Sequence, residues 1–362
     1  MTAMAVTRHR QVIIIGAGQS GLATAHWLMR AGVDFAILDA RAETGGSWRD
    51  FYDSLTLFSP ARYSGLPGME FPGDRDRYPR RDEVVRYLDN YAGFLGAPIH
   101  HGADVVRVKQ QGGVFIIELA DGNVWTADRL ISAAGLFGRP HRPHLPGQHR
   151  FAGKVLHAAD YRRPAEIGDG PVAIVGGGNS ALQIALELAD ERSVHVFVRQ
   201  KLRFLRQRLL GRDIHFWLRA CGYDTLPLGR WFGLALSEPV LDPGIYRAAQ
   251  RSGRIVVHPM FASLQTNGAL LSDGSALPFS TLIQATGYDP IPAYLDGVST
   301  ARAGYPQRRQ YLLRAMPGLS FVGLPWQTNH ASATLRGVGP DARRVVAEIA
   351  RSEAIGTRWQ IA

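Results

Sequence analysis

A β-rich run that halts at a cluster of glycines and resumes as a helix leaves a chain few folds to choose from, and here the pattern occurs twice. Residues 11–21 read QVIIIGAGQSG, an apolar run followed by Gly16, Gly18 and Gly21 in G-x-G-x-x-G order. A helical segment to about Arg30 follows, then a second apolar run, AILDA, ending at the carboxylate Asp39. In such a unit the first glycine makes the tight turn, the second lets backbone approach a pyrophosphate, and the third lets helix pack on strand. The helix N-terminus, here Gln19 and Ser20, then faces the phosphates. Asp39 stands 39 − 16 = 23 residues after the first glycine, near the roughly 20 expected for an acid that accepts from a ribose hydroxyl. The competing reading is a structural glycine turn with nothing bound. The two strands, the helix and the spaced acid together favour a dinucleotide.

Residues 172–199, VAIVGGGNSALQIALELADERSVHVFVR, repeat the plan. The motif is Gly176-x-Gly178-x-x-Ala181, with Asn179 and Ser180 opening the helix and alanine in the third place, as the fingerprint allows. This second unit ends HVFVRQK, in the cations Arg199 and Lys201. Arg199 lies 199 − 176 = 23 residues on, the interval that led to Asp39. An acid there suits a free ribose diol; a cation accommodates a 2′-phosphate. The pair therefore points to NADPH, with NADH as the alternative, unless the two cations are merely a solvated strand end.

A second echo supports a duplicated layout. Asp121-Gly122 and Asp273-Gly274 are hairpin signals, each 13 residues before a terminal glycine (135 − 122 and 287 − 274). In each, a β-rich run (RLIS, TLIQ) leads into a small-residue turn, Ala134-Gly135 or Thr286-Gly287, where chain can pass close to a nucleotide. The expected fold class is α/β: two Rossmann-like, three-layer dinucleotide-binding domains, the second inserted in the first. The expected boundaries are 1–165 plus 286–362 for the first domain and 166–285 for the second.

A chain of 362 residues is long enough for two domains. The formal charge of +10 raises nucleic acid as a partner, but the cations are scattered through enzyme-like sequence without zinc-finger spacing or an aromatic-basic RNA motif. A phosphate-bearing small molecule is the expected partner instead. Cys221 is the sole cysteine, so the chain has no intramolecular disulfide and no redox dithiol. The N-terminus lacks the apolar run of a signal peptide and no uninterrupted 18-residue apolar run follows, which makes cytoplasmic the expected location. No His, Asp, Glu or Cys cluster calls for a metal. Residues 202–250 mix arginines, leucines and aromatics, with breaks at Pro227, Pro239 and Pro243, and their first part suggests an amphipathic helix packed on its own domain or lying on a membrane surface. Trp217, Trp231 and Phe232 in that region offer a homodimer surface. Near the C-terminus a strand-like LSFVG precedes a helix from about Ser332, expected to break at Gly337 to Pro340.

Taken together, the chain resembles the flavin-dependent monooxygenases of the two-dinucleotide-domain class (class B-like), which include S- and N-oxygenating and auxin-forming enzymes. It is most similar to small bacterial flavoproteins of that group, some described as potassium-transport-associated oxidoreductases. The resemblance spans nearly the whole chain. It rests on GAGQSG (16–21), GGSW (45–48), SLTLFSP (54–60), YPRRDEVVRYL (78–88), GGGNSA (176–181), ATGY (285–288) and ASATLRGV (331–338). The most specific element is the linker Phe151-x-Gly153-x-x-x-His157-x-x-x-Tyr161, placed between the two nucleotide motifs.

The resemblance implies FAD on the first unit, NAD(P)H on the second, with Thr286 and Gly287 beside it, and the linker near the nicotinamide coenzyme. Gly46, Trp48 and the segment Trp326 to Thr334 would approach the flavin ring. It further implies a flavin C4a-(hydro)peroxide, made from O2, that oxygenates a small soft nucleophile, a thioether or amine sooner than a ketone. The linker ends in Tyr161 where Baeyer–Villiger enzymes carry tryptophan, which leans toward sulfur or nitrogen centres. Phe58 stands near the place where heteroatom oxygenases put an asparagine, a substitution that favours uncoupled turnover. His157 either orients the linker and coenzyme or holds a domain junction; with Phe58 it is a candidate catalytic side chain, and no side-chain base is assigned. Two alternatives carry weight: a flavin-dependent NAD(P)H oxidase or diaphorase, and a non-catalytic redox-sensing or transport-regulating flavoprotein. A disulfide reductase of similar build lacks its dithiol here.

Overall fold

The computed structural model describes residues 7–227, 239–298 and 305–360. In chain order the elements are β1 (Thr7–Ile15), α1 (Gln19–Ala31), β2 (Phe35–Asp39), α2 (Arg81–Leu95), β3 (Ile99–His101), β4 (Val105–Gln111), β5 (Val114–Leu119) and β6 (Val124–Ser132). Next come β7 (Lys154–His157), β8 (Val172–Val175), α3 (Asn179–Leu188), β9 (Val194–Val198), β10 (Phe204–Arg206), β11 (Arg208–Leu209), β12 (Arg212–Asp213) and α4 (Ile214–Ala220). Last are β13 (Val240–Asp242), α5 (Ile245–Arg251), β14 (Ile255–Pro259), β15 (Ser263–Gln265), β16 (Gly268–Leu270), β17 (Ala276–Pro278), β18 (Thr281–Gln284), α6 (Tyr305–Ala315), β19 (Leu319–Phe321) and α7 (Leu335–Gln360).

Two sheets carry the architecture. The first runs β3-β2-β1-β6-β5-β4, with β19 also on β6. The second runs β14-β9-β8-β18-β7 and is parallel throughout. In both, the strand before the glycine motif lies between the strand that follows the helix and the strand that closes the unit: β1 between β2 and β6, β8 between β9 and β18. The last four residues of β1 (12–15) and all of β8 are apolar and buried because both faces are covered there. Val12 and Ile14 face the helical layer of α1, α2 and α7, while Ile13 and Ile15 face the antiparallel side of the meander. In the second sheet Val172 and Ile174 lie in one core cluster, Ala173 and Val175 in another. The Asp-Gly turns fall where the hairpins were expected, between β5 and β6 and between β16 and β17.

Several expectations need correction. β7 lies on the first side of the expected 165/166 boundary, yet it pairs with β18 in the second sheet, so by strand pairing the crossing precedes Lys154. The amphipathic helix from residue 202 does not form: residues 204–213 are short strands and only Ile214–Ala220 is helical. Gly211, with φ +74°, turns the chain between β11 and β12 and interrupts any helical stripe. Of the proposed dimer surface, Trp217 donates its indole N–H to Leu209 O of its own chain, whereas Trp231 and Phe232 lie outside the described residues. The C-terminal helix continues through Pro340 instead of breaking. Its glycines serve close approach: a Cβ on Gly337 would lie 2.0 Å from Ala331 O, and one on Gly339 2.7 Å from the Pro67 ring.

Candidate functional site

The two glycine loops are built alike. Gly16 has φ +106°, and a Cβ there would sit 2.8 Å from Ala133 O at the end of β6. Gly176 has φ +139°, and its Cβ would sit 2.2 Å from Ala285 O at the end of β18. The closing strand of each unit thus presses on the first glycine of its own motif. Gly21 has no room for a Cβ, which would lie 1.8 Å from Gly16 O, and Ala181 is fully buried in the corresponding place. Gly18 and Gly178 are the N-caps of α1 and α3; neither helix has a side-chain cap or an acid in its first turn. Their first N–H groups are therefore directed outward, a setting that suits an anionic group. At Gly178 an added Cβ would meet nothing within 4 Å, while at Gly18 it would meet only Gly46 Cα, at 3.7 Å. These loops fit the pyrophosphates of two dinucleotides.

Around α1 the residues assigned to the first nucleotide converge. Gln19 accepts from Trp48 Nε1 at 3.1 Å and donates to Ala333 O at 2.9 Å, joining the glycine-tryptophan patch to the loop before α7. Thr334 closes that loop through its hydroxyl to Ala331 O. Among the described residues just three non-glycines have positive φ, and two of them, Trp326 (+53°) and Ala333 (+69°), bound this loop. Such backbone costs of order 1 kcal/mol per residue and clusters at functional sites. Ser20 is buried beneath Gly323, whose Cβ would fall 2.0 Å from Ser20 Oγ. Asp39 is 5% exposed and accepts from the backbone N–H groups of Ala17 and Arg41, so the acid also braces the first glycine loop.

At the second motif, Asn179 and Ser180 lie part-exposed at the start of α3. Arg199 and Lys201 stand exposed just past β9, and among the described residues neither forms an ion pair. Thr286 spends its hydroxyl on His141 O at 2.6 Å, so it serves the crossover.

The linker is structural in its observed contacts. Phe151 is buried, and Gly153 leaves no room for a Cβ, which would lie 2.3 Å from Ser280 O. His157 is fully buried; its Nδ1 accepts from Ala159 N and its ring meets Tyr288 edge-on with centroids 5.2 Å apart. Burial pushes its imidazole below the usual range, with the nearby Arg142 acting the same way. Tyr161, also fully buried, donates to Glu187 Oε2 at 2.8 Å. Aromatic contacts connect the two halves: Trp48 to Phe51, Phe51 to Phe137, Phe137 to Tyr288 and Tyr288 to His157. The two crossovers run side by side, with Pro140 bridged antiparallel to Tyr288 and reciprocal bonds from His141 N to Gly287 O and Asp289 N to Arg139 O.

Sequence reasoning missed a polar group contributed by residues 207–226. Asp213 pairs with His215 Nδ1 at 2.6 Å and accepts from Tyr78 Oη and Gln207 Nε2 at 2.6 and 2.8 Å. Gln207 also donates to Phe58 O, and the His215 ring stacks on Phe58 with centroids 6.2 Å apart. Asp224 binds Arg336 and His330, which holds its carboxyl down at about 2 against the opposing effect of burial. His330 in turn meets Trp326 and Tyr223. The D-x-H spacing over an N-cap was the one signal available in the sequence. The groups it joins, Phe58, Tyr78 and Arg336, are far away along the chain. A groove of about 840 Å³ lies alongside, between α1, residues 65–67 and α7, and Arg336 lines its edge.

Known proteins define the class. A flavin-containing monooxygenase from Stenotrophomonas maltophilia superposes with a TM-score of 0.80 at 30% identity, covering 95% of this chain and 99% of that one. An uncharacterized CzcO-like oxidoreductase of Geobacillus kaustophilus is 32% identical over 93% of this chain and 97% of its own. The indole-3-pyruvate monooxygenase YUCCA1 of Oryza sativa is 30% identical over 78% of each. The protein is an enzyme of redox chemistry, of the flavin-dependent oxidoreductase and monooxygenase class. Residues 13–220 match the family model described as pyridine nucleotide-disulphide oxidoreductase, and the chain belongs to that family. Membership implies a capacity to bind FAD and NAD(P)H. The disulfide in the family's description has no counterpart here, because Cys221 is single, exposed and free.

Proposed function

We propose that this chain is an FAD-dependent NAD(P)H monooxygenase that oxygenates a small soft nucleophile, with FAD on the first sheet and the nicotinamide coenzyme on the second, inserted one. The observation that carries the reading is the pair of uncapped, glycine-led helices, each opposed by its own closing strand. Bound FAD would supply hydride acceptance and oxygen activation. The chain's part is binding, orientation and exclusion of water. Gly16, Gly18, Gly21 and Ser20 hold the first pyrophosphate, and Asp39 its ribose. Gly46, Trp48, Trp326 and Thr334 frame the ring. Gly176, Gly178, Asn179, Ser180 and Ala181 hold the coenzyme, and Arg199 with Lys201 receive a 2′-phosphate. His157 and Tyr161 fix the linker between the halves.

Phe58, in the expected asparagine's neighbourhood, favours some peroxide release and keeps an NAD(P)H oxidase as the second reading. Purified holoenzyme reduced anaerobically by NADPH or NADH, then mixed with oxygen and thioanisole or benzylamine, decides between them. Oxygenated product from either probe, matched to coenzyme consumed, is the expected result. Hydrogen peroxide in strict stoichiometry with coenzyme, whatever substrate is offered, overturns the monooxygenase reading. Failure of both coenzymes to reduce the flavin overturns both readings.

A further inference from the structure

We propose that His215, oriented by Asp213, is the catalytic base of this site and that the substrate is an amine, which it deprotonates to expose the nitrogen lone pair. The inference rests on the monooxygenase reading and narrows its substrate class. Asp213 caps α4 and collects donors from His215 N, His215 Nδ1, Tyr78 and Gln207. A carboxylate so served remains ionised, so Nδ1 carries the imidazole proton and Nε2 presents a lone pair. The ring is 1% exposed, and Nε2 has no hydrogen-bond partner among the described residues. A buried polar atom left without a partner calls for an explanation, and a catalytic role is one such explanation.

His215 packs beside the candidate side chain Phe58 and, through Arg336, near Thr334, one of the residues assigned to the flavin ring. Phe58 stacks on one side, with the Tyr63 ring also 6.2 Å away. Arg336 acts on the imidazole electrostatically and reaches Thr334 Oγ1 at 3.4 Å. The titratable and charged groups facing the imidazole are Asp213, Tyr78, Tyr63, Arg336 and Asp224. Burial holds the imidazole below its usual range despite the pull of Asp213, so it is neutral and proton-accepting at pH 7.

The chemistry separates the substrate classes. An amine arrives at neutral pH as an ammonium, which has no lone pair to offer an electrophilic oxygen. Transfer to His215 breaks one N–H bond, forms Nε2–H, leaves the electron pair on the substrate nitrogen, and places the imidazolium against Asp213. Desolvation weakens the ammonium as well as the imidazolium, while the Asp213 carboxylate favours the imidazolium alone and so lessens the uphill cost of the transfer. A thioether keeps its lone pairs at every pH and needs no base. A ketone calls for a donor, which neutral Nε2 is not.

The test uses FAD-loaded enzyme with benzylamine and thioanisole, a pair of similar size, in wild type, His215→Phe and Asp213→Asn. The first measurement is the ratio of kcat/KM for the amine to that for the thioether. The second is an equilibrium titration of oxidised holoenzyme with benzylamine, followed by flavin absorbance from pH 5 to 8. Benzylamine is an ammonium throughout that range, so any pH limb belongs to the protein. We expect binding to strengthen as pH rises through the lowered His215 pKa, and the limb to vanish in His215→Phe. The amine-to-thioether ratio should drop by about 100-fold, the range of general base catalysis. An unchanged ratio, a limb that survives His215→Phe, or no benzylamine effect on wild type overturns the inference. Oxygenation of thioanisole with no response to benzylamine would sink the amine assignment and leave the monooxygenase standing. A limb lost in His215→Phe with oxygenation of neither probe would do the reverse. If His215→Phe does not fold, Asp213→Asn takes its place, with the limb expected to move to lower pH and the amine-to-thioether ratio to fall; an unmoved limb and an unchanged ratio overturn the inference.

Discussion

Asp224 shows how much one side chain can carry. Its carboxyl is 7% exposed and paired with a guanidinium equally buried, that of Arg336. Removing one partner of such a pair leaves an uncompensated buried charge and costs about 3–5 kcal/mol. Asp224→Asn should therefore lower the urea midpoint by a corresponding amount. Its folded pKa of about 2 lies below the ordinary 3.8, so the contribution is complete above pH 4 to 5 and is lost as pH falls from about 4 to 2. Acid titration of wild type and Asp224→Asn should converge across that window, and parallel curves would refute the assignment. Arg199 presents a contrasting case, exposed and with no ion pair among the described residues. Arg199→Ala is expected to raise the Kd for NADPH by tenfold or more, about 1.4 kcal/mol or above, and that for NADH by much less. Equal losses would mean that the cation reads the shared adenosine or pyrophosphate.

Elements were legible to very different degrees. The glycine motifs, their helices and flanking strands could be read because every determinant lies within about thirty residues of its partners. Even the closing turns, Ala134-Gly135 and Thr286-Gly287, had a signal in the Asp-Gly hairpins upstream. Residues 202–226 had only the Asp213-x-His215 spacing. Their order comes from contacts 135 residues away at Tyr78 and 112 away at Arg336, and the alternation of arginine with leucine mimicked a helical stripe. The first turn of α7 misled for another reason. Glycines and a proline are ordinary helix breakers, yet here Gly337 lets the helix press onto the Ala331 carbonyl. Gly337→Ala must push that loop away from Gln19, and the purified variant should retain less FAD per chain, by several-fold, than wild type. Full flavin occupancy would show that the loop tolerates displacement.

At the scale of the whole molecule, two sheets with separate core clusters hold separate ligands in the proposed function. A ligand that binds only the folded state stabilises by about 2.7 kcal/mol at one hundred times its Kd. Stripping FAD should lower Tm, and FAD and NADP⁺ added together should raise it by more than either alone. A coenzyme with no effect on Tm in the holoenzyme would argue against a preformed second site.

The paired crossovers carry a mechanical consequence. Residues 139–141 and 287–289 are stitched to each other by backbone hydrogen bonds, with Gly135 at positive φ before the first strip and Gly287 at positive φ opening the second. Two strips fastened edge to edge act as a leaf hinge, stiff against sliding in their plane and compliant to bending out of it. Such a ribbon would favour a swing of the halves about its own line over sliding of one on the other. Along the swing Tyr288 rides against His157 and Phe137 against Phe51, so opening the cleft on one side would loosen the aromatic row that spans it.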